Sequence, residues 1–252
     1  MEKHVHLALG DSITVGYEAS QPSQTYIYHV SQAIRQRGLA DETRLIAKNG
    51  WDSSQLVRAL HTIPPAFWSN VSIATLLIGG NDLRSLLKRL WTPGPNPLSK
   101  PMIDMQVSYF ERNYHVIAKA LAEQVPTTVA MTIYNPVPNF PVAQMTFSQM
   151  NGIIRDAANK YQFPLVDLHT AFSGRESQYI HRYQRGILED LMRPFLRPIH
   201  PNDAGHAVIA ERVIACLPKT LDAPGKVSPS VDSPSKHQQA EYTPRVRRRG
   251  QT

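Results

Sequence analysis

The sequence predicts an α/β fold: a three-layer α/β/α sandwich around one five-stranded parallel sheet. Three observations carry that prediction. Strand-sized apolar segments alternate with helix-period segments over residues 1–219, the pattern of a sheet with crossover helices. Five such strands suit a single sheet. Turn-rich, polar segments come after the strands, at the edge where a parallel sheet collects its ligands.

Residues 5–9 are short and apolar enough for a first strand, and Ile27, Val30 and Ile34 mark one face of a first helix. Residues 44–47 form the second strand, succeeded by a short helix carrying Leu56, Val57 and Leu60. Residues 73–78 are the longest apolar stretch and the third strand. Leu83, Leu86, Leu87 and Leu90 then suggest a short helix, which Pro93, Pro95, Pro97 and Pro101 cut off. This 93–101 loop is either a wall of a substrate pocket or a plain surface excursion. Val107, Phe110, Tyr114, Ile117 and Leu121 recur at spacings of three and four on the next helix. A strand at 128–133, a helix bearing Met150, Ile153, Ile154, Ala157 and Tyr161, and a strand at 165–168 come next. A last helix shows Ala207, Ala210, Ile214 and Leu217 on one face.

Residues 220–252 differ in kind. Only seven of these 33 residues are apolar and four are proline, too little burial to offset the entropy of ordering, so the expectation is one domain over 1–219 and a disordered basic tail. The tail holds six Lys/Arg against three acids, +3 of the chain's net +7. Its Arg245-Val246-Arg247-Arg248-Arg249 run lacks interleaved aromatics, so it reads as solvated, with no specific nucleic-acid partner. A lone cysteine, Cys216, excludes an intramolecular disulfide and any cysteine-cluster metal site. No secretory leader and no ~20-residue apolar span are visible, which suggests a cytoplasmic protein. Dinucleotide, nucleoside-triphosphate and Gly-x-Ser-x-Gly signatures are absent. The sequence says nothing of oligomeric state.

The chemistry lies in the segments just past the strands. Gly10-Asp11-Ser12 succeeds the first, Asn49-Gly50 the second, and Gly79-Gly80-Asn81-Asp82 the third. His200-Pro201-Asn202 stands far beyond the fifth. Brought together, they supply a hydroxyl nucleophile, an imidazole to take its proton and donors for an oxyanion, the needs of acyl transfer.

Four such blocks, in this order and each after the right strand, resemble the SGNH hydrolases of the GDSL esterase/lipase family, over roughly residues 5–217. The resemblance implies a flavodoxin-like sandwich, which also suits the strand count. It implies a serine esterase needing no cofactor or metal, with Ser12 as nucleophile and His200 as general base and acid. The backbone N–H groups of Ser12 and Gly50 and the side-chain amide of Asn81 would form the oxyanion hole. The substrate would be a small-molecule ester: a short-chain acyl ester, a lysophospholipid or an acetylated carbohydrate. Trp51, Trp91 and the 83–90 leucines form either an apolar acyl pocket or part of the core.

One position departs from the family pattern. Where that pattern has an aspartate three residues before the histidine, this chain has Arg197, whose side chain accepts no proton. Three readings stay open: the main-chain carbonyl of Arg197 holds the imidazole; Glu189 or Asp190 folds back to do so; or the protein is a catalytically impaired binding protein or an acyltransferase. Of the other polar residues, Asn202 or Asp203 is expected to cap the last helix and His206 to face its surface. Asp11 and Asp82 are expected to brace loops, and His4 and His6 to be surface or packing residues rather than metal ligands.

Overall fold

A computed structural model of the protein describes residues 3–88, 96, 98–192 and 197–220. The strands are Val5–Gly10 (β1), Glu42–Ala47 (β2), Val71–Leu77 (β3), Thr127–Met131 (β4) and Leu165–Val166 (β5). All pair in parallel, in the order β2-β1-β3-β4-β5, which is the flavodoxin-like order. Every residue of β1 and β3 is buried, so these central strands are covered on both faces and read as continuous apolar runs. Edge strand β2 is half-open, with Leu45 exposed.

The helices are Ser12–Val15 (α1), Tyr26–Gln36 (α2), Ser53–His61 (α3), Pro65–Trp68 (α4), Gly80–Lys88 (α5), Lys100–Gln124 (α6), Pro141–Lys160 (α7), Leu168–Phe172 (α8), Glu176–Tyr179 (α9), Leu188–Leu191 (α10) and Asp203–Cys216 (α11). They fall into two packed groups: α2 lies against α11, while α3, α5 and α7 lie against α6. The side chain of Thr25 caps α2, and Asp52 and Gln55 form a reciprocal capping box at α3. Helices α6 and α7 each open on a proline in the first turn, where the missing N–H costs nothing. Phe110, Tyr114, Ile117 and Leu121 bury the face of α6 that their spacing predicted.

Three expectations change. Strand ends move by one or two residues, because ladder pairing rather than apolarity sets them: Glu42 and Thr43 pair with Val5 and His6 although neither is apolar. On α11 the buried face runs through His206, Ile209, Ala210 and Val213, one residue round from the expected stripe, and Ala207 is exposed. His206 is therefore in the core and not on the helix surface. Its Nδ1 accepts from the Tyr26 N–H at 3.3 Å and its ring stacks on Tyr26. Burial pushes its pKa down to about 4. Trp91, Pro93, Pro95 and Pro97 lie outside the described residues, as does the tail from residue 221; Pro101 is in the first turn of α6. Among the described residues, no helix is long and apolar enough to cross a membrane.

The strand order reverses between β1 and β3, and the crevice at the carboxyl ends of these two strands is where an open α/β sheet binds its ligand. Gly10-Asp11-Ser12 leaves one side of that crevice and Gly79-Gly80-Asn81 the other.

Candidate active site

The chain turns from β1 into α1 within two residues, and the turn depends on Gly10. A Cβ there would run into the Thr14 hydroxyl and the Leu77 carbonyl of β3, so only glycine lets the strand end so close to its neighbour. Asp11 then caps α1, its Oδ1 accepting from the Ile13 N–H at 3.0 Å. Ser12 becomes the first residue of the helix, buried at the foot of the crevice.

His200 comes from the other end of the chain and is held by its backbone. Its carbonyl accepts from the His181 N–H at 2.9 Å, and the Asn202 N–H donates to the Tyr179 carbonyl at 2.8 Å. The Tyr134 hydroxyl donates to the carbonyl of Ile199 at 2.7 Å. Asn202, one of the two expected caps, closes α11 by accepting from the Gly205 N–H. The result is an imidazole whose Nε2 lies 3.0 Å from Ser12 Oγ, across 188 residues of sequence.

The other ring nitrogen makes no hydrogen bond to any of the expected partners. Nδ1 of His200 faces Oε2 of Glu18 at 3.4 Å. Both atoms are buried, and neither has a hydrogen-bond partner. The Arg197 carbonyl instead accepts from the Ile199 N–H at 2.9 Å. Asp190 is fully buried, but its Oδ2 accepts from the N–H groups of Arg185 and Gly186 at 2.9 and 2.8 Å, and it braces that loop. Glu189 lies at the opening of α10 and makes no ion pair with His200.

Glu18 occupies a left-handed backbone conformation, φ 66°, which is uncommon for a residue with a Cβ and marks a constrained position. The loop is pinned two residues later. Ser20 donates through both N–H and Oγ to the carboxylate of Asp203, at 2.8 and 2.6 Å, on the first turn of α11 just past His200. Tyr17 tilts its ring against the imidazole, centroids 4.7 Å apart. The four-block pattern gives no sign of Glu18, because it sits six residues after the nucleophile instead of three before the histidine. The signals that find it are spatial.

The remaining site residues gather less tightly. Asn81 opens α5 beside Asp11; its Nδ2 donates to the Trp51 carbonyl at 3.0 Å and, weakly, to Asp11 Oδ2 at 3.4 Å. Gly50 lies next to Trp51 with φ 78°, exposed and not among the cavity-lining residues. A side chain there would approach only Arg84. Asp82 accepts from the N–H and Oγ of Ser53, bracing α3 against α5 as expected. Burial pushes both Asp11 and Asp82 up to about 7. Burial, then the charges of Arg84, His206 and His181, pushes His200 down to about 4, so its ring is neutral at physiological pH and able to take a proton. His6 is buried between the hydroxyls of Thr43 and Thr75, a packing role. Among the described residues no group of three His, Cys, Asp or Glu is placed to hold a metal ion.

Ser12 and His200 open onto a partly open cavity. Leu77, Leu83, Ile133, Val137, Phe140 and Phe147 give it apolar walls, while Arg84, Arg197 and the buried Asp11 are its basic and acidic residues beside His200. Of the residues expected to form an acyl pocket Leu83 is there, whereas Trp51 packs on the core.

Comparison with known proteins gives the family and the fold. The family model described as "GDSL-like Lipase/Acylhydrolase family" matches residues 8–208. The spore germination lipase of Bacillus licheniformis is 23% identical over 221 residues, 83% of this chain and 94% of the lipase. A lipase structure from a goat rumen metagenome superposes with a TM-score of 0.65 at 22% identity, over 84% of this chain and 97% of its own. Phospholipase A1 of Streptomyces albidoflavus gives 0.64 at 14% identity, over 85% and 100%. The acetylxylan esterase Axe2 of Geobacillus stearothermophilus gives 0.58 at 16%, over 86% and 96%.

Proposed function

The chain belongs to the GDSL-like lipase/acylhydrolase family of SGNH hydrolases and is a carboxylic ester hydrolase; from that premise we propose that it acts as a serine esterase through Ser12, His200 and Glu18. The observation that carries this reading is the 3.0 Å approach of His200 Nε2 to Ser12 Oγ. A neutral imidazole at that distance takes the hydroxyl proton as Oγ attacks the ester carbonyl. The tetrahedral intermediate collapses as the ester C–O bond breaks, and His200 returns the proton to the leaving alcohol. Water then repeats the sequence on the acyl-enzyme, so ester and water become acid and alcohol and Ser12 is restored.

Glu18 supports the imidazolium formed in each half-reaction, the office a triad carboxylate fills. A carboxylate in that position supports the active reading over the impaired one, which rests on Arg197. The oxyanion would be met by the Ser12 and Gly50 N–H groups and by Asn81, whose Nδ2 would exchange its long contact to Asp11 for the substrate oxygen. Such a donor contributes roughly 3–4 kcal/mol in the transition state. The related structures include both an acetylxylan esterase and a phospholipase. The apolar walls favour an acyl chain longer than acetyl here.

A fluorophosphonate probe with subsequent peptide mapping tests the reading. Labelling at Ser12, abolished in Ser12→Ala and slowed in His200→Ala, is the expected result. Folded protein that neither takes the label nor turns over p-nitrophenyl butyrate faster than Ser12→Ala would overturn it.

A further inference from the structure

Two arginines in the cavity have no carboxylate partner among the described residues. Arg84, on α5, and Arg197, just before His200, both line it among aliphatic and aromatic walls. Neither makes an ion pair with a carboxylate among the described residues. The Nε of each is buried and has no hydrogen-bond partner. Arg84 Nη1 donates to Asn81 Oδ1 at 3.3 Å. The two guanidinium groups also act on each other: burial, then the charge of Arg197, lowers the pKa of Arg84.

A sheltered cation without a counter-charge is costly, and an orphaned Nε–H adds to the cost. Two guanidinium groups of like charge facing one space double the problem, and an anion between them would relieve it. Arginine is the side chain whose planar fork meets phosphate and carboxylate oxygens two at a time. The surrounding apolar walls would accept an acyl or alkyl chain and would raise the strength of any charge contact by excluding water.

We propose that Arg84 and Arg197 form an anion-binding subsite within the substrate cavity, so that the enzyme prefers amphiphilic esters bearing a negative oxygen group near the scissile bond over neutral esters of equal chain length. The inference rests on the esterase reading for the cavity's role. The anion is the phosphate of an anionic lysophospholipid or the carboxylate of an acylated hydroxy acid; the subsite chemistry is shared, and the experiment separates the two. Arg84 also ties the subsite to the reaction, since a guanidinium bonded to Asn81 Oδ1 sharpens the amide's donor hydrogens. An anion drawn toward Arg84 is thereby bound next to the machinery that meets the oxyanion.

The test is a binding measurement that does not depend on turnover. Titration calorimetry on the full chain with octyl phosphate, nonanoate and octanol gives three dissociation constants for probes of similar apolar length. The expected result is that at least one anionic probe binds about tenfold or more tightly than octanol, as charge-assisted arginine contacts allow. Arg197→Gln should bring that preference to within about threefold, and Arg197→Lys should restore part of it, since the charge returns without the fork. The better of the two anions identifies the source. Equal affinity of the wild type for all three probes, or an anion preference untouched by both Arg197→Gln and Arg84→Gln in variants that melt cooperatively, overturns the subsite. A protein that turns over p-nitrophenyl butyrate but shows no anion preference loses this inference alone. One that binds octyl phosphate through Arg197 but cleaves no ester keeps it and loses the esterase reading.

Discussion

Two segments reach His200 from opposite ends of the chain. Residues 10–20 leave β1, bring Ser12 to Nε2, and swing back so that Glu18 faces Nδ1. The stretch that precedes the histidine contains the nearest acids on that side in sequence, Glu189 and Asp190. That nearer segment spends its acid on the backbone, as Asp190 takes the amides of Arg185 and Gly186. The distant one supplies the carboxylate beside the ring. Proximity along the chain is a poor guide to what faces an imidazole, because facing it takes a few ångströms in space and any loop that ends there can provide them.

Breaking the 10–20 segment at its nucleophile should give the largest effect. Ser12→Ala and His200→Ala are each expected to lower kcat by about 10⁵–10⁶-fold, and the double variant to fall hardly further, because the pair acts as one unit. Both should melt within a few degrees of the wild type. Steady-state kinetics on p-nitrophenyl butyrate with thermal melts checks this, and additive losses would show that the two do not work together.

Glu18→Gln separates the two segments directly. It keeps the side chain's size but removes its charge, and kcat should drop by about 10²–10⁴-fold with KM little changed. The pH profile adds a second readout. In the wild type burial, then Arg84, His206 and His181, holds His200 near 4, so kcat/KM should be flat through neutral pH and fall only as pH drops through about 4, when the base becomes protonated. Loss of the Glu18 charge removes the facing carboxylate that favours the imidazolium, so the acid limb should move to still lower pH. A Glu18→Gln enzyme with unchanged kcat and acid limb would return the role to a backbone carbonyl.

Why Glu18 escaped the sequence is physical. The strands and the four blocks are local patterns: apolar runs, and glycines or serines where the chain must turn. They are legible because the constraint and the residue coincide, as at Gly10, where no other side chain fits against Leu77. His206 and Glu18 are set by tertiary packing. His206 enters the core because Ile209 and Val213 fix the seam of α11 and the turn before them goes with it. Glu18 points at His200 because Ser20 is bonded to Asp203 and the backbone accepts φ 66° to get there. Neither cause leaves a period or a spacing.

That clamp predicts an intermediate effect. Asp203→Ala frees Ser20 while leaving Asn202 as the cap of α11, so the helix should persist and the loop carrying Glu18 should loosen. A loss of about three- to tenfold in kcat is expected, as misplacement of an orienting group costs less than its removal. Restoring the acceptor with Asp203→Asn should recover part of it. Hydrogen exchange at residues 17–20 reports the loosening independently, and unchanged exchange with reduced kcat would mean that the clamp is not the cause.

Asp190 should give the smallest change in rate and a clear change in stability. Its carboxylate is wholly buried. Burial opposes the charge, yet the N–H groups of Arg185, Ile187 and Gly186 and the Arg185 guanidinium outweigh it and hold the pKa below the ordinary 3.8. A carboxylate whose folded pKa is depressed stabilises the fold above its unfolded value and loses that contribution as pH falls through the lower folded value. Asp190→Ala orphans those amides, at a cost of about 1–3 kcal/mol, and the wild-type advantage over the variant should be present at pH 7 and shrink as pH drops below 3.8. Denaturant melts at pH 7 and pH 3 measure it. At a temperature where both proteins are folded, kcat should stay within about threefold, since the carboxylate touches backbone rather than His200. A large loss of kcat in folded Asp190→Ala would place the relay acid back in the segment beside the histidine and reverse the contrast between the two segments.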